Sequence, residues 1–117
     1  MERKITVPYD RLFYRTSVHY SNLYFGASLP AIADLANKLG YALIGCNSAG
    51  NNSFYVRRDL LTNRIREKSI SESFVVSKFR ESRNEKGSLT YLSGTDRQNV
   101  IKGLKVLNIE NSCIEYL

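Results

Sequence analysis

The sequence predicts a small mixed α/β domain, and three observations carry that prediction. A helix with an apolar stripe and signals at both ends runs directly into two apolar segments of strand type. Those segments flank a loop of Gly, Asn and Ser, "CNSAGNN". The 117-residue chain, 43% hydrophobic and 24% charged, has the composition of a folded domain rather than a disordered tail. That length holds one domain or part of one. No apolar run approaches the ~20 residues a membrane-crossing helix needs. The charged start "MERKITVPYD" opens no signal-peptide stretch, so a cytoplasmic location is expected. Cys46 and Cys113 lie far apart, outside any CxxC spacing, and are expected as free thiols.

Taken in order, "KITVPYD" alternates weakly up to Pro8 and reads as a short edge strand or an extended lead-in. "RLFYRTSVHYSNLYFGAS" crowds aromatic residues without a clean period, which fits irregular structure with room for a short helix. "SLPAIADLANKLG" then places Leu29, Ile32, Ala33, Ala36 and Leu39 on one helical face. Ser28 stands at the N-cap, Pro30 in the first turn and Gly40 at C′. "YALIGCN" and "SFYVRRD" read as paired strands, with Phe54 and Val56 on one face and Tyr55 and Arg57 on the other. Between Asp59 and Lys86 the chain turns polar and basic. Ser69 with Glu72 forms a capping-box pattern there, and Phe74, Val75, Val76 and Phe79 are the residues expected to be buried. "SLTYLSG" fits a short strand, and "GTDRQNVIKGL" a compact helix with Thr95 and Gln98 in capping-box relation and Gly103 as its stop. "LKVLNIENSCIEYL" fits a second hairpin.

The net charge of +6 raises the prospect of a polyanion partner. A merely basic soluble surface is the plainer reading, and a larger protein with an acidic remainder is a third. Arg57, Arg58, Arg64, Arg66 and Lys68 make the densest patch. Asp59 and Glu67 interrupt it, and no aromatic residue lies inside it for base stacking, so nucleic acid is a disfavoured but open partner. His19 is the only histidine, which removes any His-pair metal site and leaves it as the candidate general base. Tyr14, Tyr20 and Tyr24 surround it in sequence, an aromatic setting suited to a sugar or a flat ring; a packed or surface histidine is the plainer alternative. No Ser-His-Asp arrangement, GxSxG or GxxxxGK[ST] occurs.

Together, "ITVPYD", "HYSNLYFGASL", "GYALIGCNSAGNNSFYVRRDL", "SKFRESR" and "LTYLSG" resemble the carboxyl-terminal part of bacterial methyltransferase-like proteins related to the FkbM type. The likeness runs through nearly the whole chain, is best from His19 to Leu60 and is loosest over the last 30 residues. It implies the end of a Rossmann-like sheet whose early strands bind S-adenosylmethionine. Residues 1–60 would supply the last helix and a final strand hairpin, and residues 61–117 a basic α+β extension. The Gly-rich turn and the acidic ribose-binding residue of that fold have no counterpart here, so no cofactor-binding residue is expected in this chain. The implied function is the substrate-side portion of an S-adenosylmethionine-dependent enzyme, inactive alone, whose cofactor part lies upstream or on a partner chain. In that fold ligands sit at the carboxyl edge of the sheet. The edge loop would then offer Asn47, Asn51 and Asn52 to substrate, with Tyr20 and Tyr24 nearby; asparagines present only for turn conformation are the alternative. A strand pair left at an open edge also implies self-association or a large apolar patch. The other class of function is a small basic module for nucleic acid or another polyanion.

Overall fold

Residues 3–78 and 81–117 are described by the structure, a computed structural model. The elements run β1 (Ile5–Thr6), α1 (Arg15–Val18), α2 (Leu29–Lys38), β2 (Tyr41–Cys46) and β3 (Ser53–Arg57). A 3₁₀ turn (Arg58–Leu60) follows, then α3 (Ile70–Ser73), α4 (Gly94–Val100), β4 (Lys105–Asn108) and β5 (Cys113–Tyr116).

The local signals explain most of these boundaries. At the start of α2 the Ser28 hydroxyl accepts the Ala31 N–H at 3.3 Å, and Pro30 occupies the first turn, where a missing N–H costs nothing. Gly40 ends the helix at φ +84°, and its carbonyl receives the Arg58 N–H at 2.9 Å, which ties the helix end to the end of β3. The Ser69–Glu72 capping box is present in full, with side chain and backbone reciprocating at 3.2 and 2.8 Å.

Two sheets result, ordered β1-β4-β5 and β2-β3. Every strand pair among the described residues is antiparallel. The mixed α/β class therefore holds, built here from antiparallel sheets and few helices. β2–β3 and β4–β5 are each joined by a short turn, which makes antiparallel neighbours, whereas β1 reaches β4 across almost the whole chain. In the first sheet Ile5 pairs with Asn108, so the sheet spans the boundary drawn at residue 60. In the second, Tyr41 pairs with Arg57 and Leu43 with Tyr55, and a bulge then sets Gly45 opposite Phe54.

Three local expectations fail for identifiable reasons. "SLTYLSG" makes only an isolated bridge, Arg83 with Leu89. Asn84 turns the chain there, its side-chain oxygen accepting the Lys86 and Ser88 N–H groups at 3.0 Å each. Tyr91, at φ +53°, then breaks the extended run. The Thr95–Gln98 box does not form, because α4 starts at Gly94 and its N-cap is Ser93, without a side-chain bond. Phe74 and Val76, expected in the core, are exposed, and Val75 is half-buried. Phe79 lies outside the described residues.

Burial is thin. The buried apolar residues are Ile5, Leu23, Ala31, Ala42, Leu43 and Val106, whereas Ile32, Leu35 and Leu39 of the helix, with Phe54 and Leu60, stand exposed. The chain exposes 8127 Å²; a folded monomer of this mass exposes about 6500 Å². Its radius of gyration is 15.6 Å, against about 13.4 Å for a domain of this length. No helix among the described residues is long and apolar enough to cross a membrane.

Candidate functional site

The loop between β2 and β3 is organised by one side chain. Asn47 Oδ1 accepts the backbone N–H of Asn51 at 3.1 Å and of Asn52 at 3.2 Å, while Asn47 Nδ2 donates to Asn51 Oδ1 at 2.7 Å. The Asn47 backbone closes the turn, donating to the Asn52 carbonyl and accepting from Gly50, each at 3.1 Å. Both polar atoms of the Asn47 amide are thus engaged inside the loop, the geometry of an Asx turn.

Against this loop runs the 75–78 segment, and the approach is close. Lys78 donates its N–H to the Ala49 carbonyl at 2.8 Å. Gly50 sits at φ +68°, and a Cβ built there would meet the Val75 carbonyl oxygen at 2.5 Å and that of Val76 at 2.7 Å. Only glycine fits both the conformation and the space. The sequence signals Gly50 as a turn residue; the backbone crossing that makes it indispensable has no sequence signal.

Between the loop, the start of α2 and the 74–75 segment lies a cleft of about 200 Å³. Leu29, Ile32 and Phe74 form apolar walls, Asn51, Asn52 and Ser53 stand at the polar side, and Cys46 also lines it. Burial pushes the Cys46 thiol up from its usual range, so it stays protonated at neutral pH. Both cysteines are free.

The aromatic half of the expected site lies elsewhere. His19 Nδ1 accepts the Ser21 N–H at 3.3 Å and contacts the Ser21 hydroxyl at 2.7 Å, and Ser21 Oγ in turn accepts the Leu23 N–H at 3.2 Å. That network assigns the remaining proton to Nε2 and makes the ring a turn-former. The Tyr20 ring packs on it at 4.4 Å between centroids. Tyr20 borders a separate open depression with Arg83, Asn84 and Lys86. Tyr24 donates its hydroxyl to the Lys105 carbonyl, stapling the 20s segment to β4, and burial pushes that phenol up. The structure therefore brings Asn51 and Asn52 together on one cleft, gives Asn47 to the turn beneath them, and sets Tyr20, Tyr24 and His19 apart.

The basic patch is largely neutralised within the chain. Arg57 forks onto Asp59 at 3.0 and 2.7 Å, Arg58 onto Glu67 at 2.8 and 2.7 Å, and Arg66 reaches Glu72 at 3.4 Å. The arginines hold the Asp59 and Glu67 carboxyls below their usual range, and Glu72 is held down chiefly by the Ser69 backbone N–H.

Among the described residues, the features that the resembled fold uses for S-adenosylmethionine are not found. The helix with a full N-terminus, α2, follows irregular chain rather than a parallel strand, and its first turn lacks the Pro30 N–H and is capped by Ser28. No Gly-rich strand-to-helix turn is present among the described residues. Nor does any group of three or more His, Cys, Asp or Glu among them suit a metal ion. Compared with protein-family models, curated proteins and solved structures, the chain matches none.

Proposed function

We propose that the chain is the substrate-side, sheet-completing portion of an S-adenosylmethionine-dependent, methyltransferase-like protein related to the FkbM type, and that it transfers no methyl group alone. One observation carries the reading: α2, β2 and β3 follow one another as helix, strand and antiparallel strand, with no further strand among the described residues paired to β3. That is the order the resemblance implies for the end of such a sheet, and the unpaired strand is where the remaining strands would add. The cleft beside Asn51 and Asn52 is then the substrate side, its apolar walls and amide-bearing edge suited to a small, mostly apolar acceptor group. The cofactor belongs to the part that carries the Gly-rich turn.

Calorimetric titration of S-adenosylmethionine into the isolated chain tests the assignment of missing parts. No saturable heat is expected, and saturable low-micromolar binding overturns it. The reading frame upstream of Met1, or a protein that co-purifies with the chain, should encode a strand followed by a Gly-rich turn; a host with neither refutes the reading. The polyanion alternative loses ground to the ion pairs at Arg57, Arg58 and Arg66. Filter binding at two salt concentrations decides it, because phosphate neutralisation gives a log–log slope near −0.9 per contact. Salt-steep nanomolar binding, abolished by changing Arg64, Arg66 and Lys68 to Ala, would replace the first reading with the second.

A further inference from the structure

The outer edge of β3 carries a specific pattern of unpaired backbone. Gly40 accepts from Arg58, which lies opposite it one step beyond the Tyr41–Arg57 pair. Hydrogen-bonded and non-bonded pairs alternate along an antiparallel ladder. Ala42 and Val56 therefore bond to each other, while Tyr55 and Arg57 turn their N–H and C=O groups away from β2. The Lys68 N–H, which reaches the Leu43 carbonyl from outside at 2.8 Å, fits the same alternation on the opposite edge. Beyond the bulge, the Asn47–Asn52 bond makes Ser53 outward-facing as well. Ser53, Tyr55 and Arg57 thus aim three sets of donors and acceptors along one edge, to which no strand among the described residues is paired.

We infer that this edge pairs with the same edge of a second copy, antiparallel about a two-fold axis at Tyr55, to give a continuous four-stranded sheet β2-β3-β3-β2. The register follows from the sequence of the edge. Tyr55 meets Tyr55, and Ser53 meets Arg57, as hydrogen-bonded pairs. Phe54 meets Val56 as the closer, non-bonded pair, an aromatic residue against a β-branched one. No like charges oppose each other, because Arg57 faces Ser53 and is already held by Asp59 of its own chain. Phe54 is 51% exposed in the single chain, so its ring is available for that contact. The exposed surface leaves room for such an interface. The 8127 Å² exposed by one chain exceeds the expected ~6500 Å² by about twice the ~800 Å² each partner contributes to a standard interface. The inference rests on the ladder and concerns the isolated chain; it does not rest on the methyl-transfer reading, under which strands of the larger protein would take this same edge in place of the second copy.

Sedimentation velocity over a concentration series of the full chain should show a monomer–dimer equilibrium. Phe54→Lys, which puts a charge into both copies of the contact, should weaken it about tenfold or more. The register is read separately, with Cys46 and Cys113 changed to Ser. Phe54→Cys and Val56→Cys chains should form a disulfide-linked dimer on mixing and little when oxidised apart. That readout survives if the lysine variant misfolds. A monomer at every concentration overturns the inference, and so does a monomer whose edge accepts a strand from another protein. A dimer indifferent to Phe54→Lys, or one that fails to cross-link in the mixture, overturns it equally.

Discussion

Replacing Gly50 with alanine isolates the energetic worth of one backbone crossing. At φ +68° an L-residue costs about 1 kcal/mol more than glycine. The added Cβ would then stand 2.5 Å from the Val75 oxygen, 2.7 Å from that of Val76 and 2.8 Å from the Val76 carbonyl carbon. All three are backbone atoms, so no rotamer change relieves them and the 75–78 segment must move. Such overpacking costs about 1–3 kcal/mol, and moving the segment also breaks the Lys78–Ala49 hydrogen bond, worth about 1 kcal/mol. The expected loss is about 4 kcal/mol. Gly40→Ala supplies the control, since Gly40 has φ +84° and nothing within 4 Å of its Cβ position; it should lose only the conformational part, about 1 kcal/mol. Urea denaturation measures both, read as midpoint shifts at constant slope. Equal losses in the two variants, within about 0.5 kcal/mol, would show that the crossing does not constrain the loop and would refute the reasoning.

Asn47→Ala removes the acceptor for two backbone N–H groups and should cost about 1–2 kcal/mol, whereas Asn52→Ala, whose side chain organises nothing in the loop, should stay within about 0.5 kcal/mol; denaturation midpoints compare them. Asp34 bridges Lys38 at 2.6 Å and Lys4 at 3.0 Å, and Lys38 first, then Lys4, holds its carboxyl below the usual range. A depressed carboxylate contributes stability that is fully present above its unfolded value and is lost as pH falls through its folded one. Asp34→Asn should therefore be less stable than the parent at neutral pH, and the gap should narrow as pH falls below the ordinary carboxylate range; a gap that stays constant into acid would show that the ion pairs are not its cause.

What was legible in the sequence was local. The span from Ser28 to Arg57 could be read because its signals act within a few residues: Ser28 on Ala31, Gly40 at the helix end, Asn and Gly content between two apolar runs. The Ser69–Glu72 box is legible for the same reason. The Thr95–Gln98 pattern is equally good on paper and fails because the helix starts two residues earlier, at a glycine. The apolar stripe of α2 was visible, but not that Ile32 and Leu39 on it would remain exposed, since periodicity marks a face and not what covers it. The candidate site divides along the same line. Asn47, Asn51 and Asn52 stay together because one turn holds them. Placing Tyr20 and Tyr24 beside them spans a distance that only tertiary structure sets, and it sends the Tyr24 hydroxyl to Lys105 instead.

The pairing of Ile5 with Asn108 has a consequence in time as well as in space. A ribosome adds about 5–20 residues per second, so the first strand is made on the order of 5–20 s before its partner exists. Through that interval the first strand is held on one side only, by the 26–28 segment, with the Val7 N–H on the Gly26 carbonyl and the Ser28 N–H on that of Ile5, while α2, β2 and β3 pack on one another. Closing so long a loop costs about 4 kcal/mol by the (3/2)RT ln n rule, unless the helix–hairpin unit has already drawn its ends together. The order of assembly is thereby set: the hairpin first, the three-stranded sheet last, and with it the burial of Ile5 against Val106. A stall in translation before Leu104 leaves a nascent chain with an open β3 edge and a first strand paired on one side only, the species most in need of a chaperone.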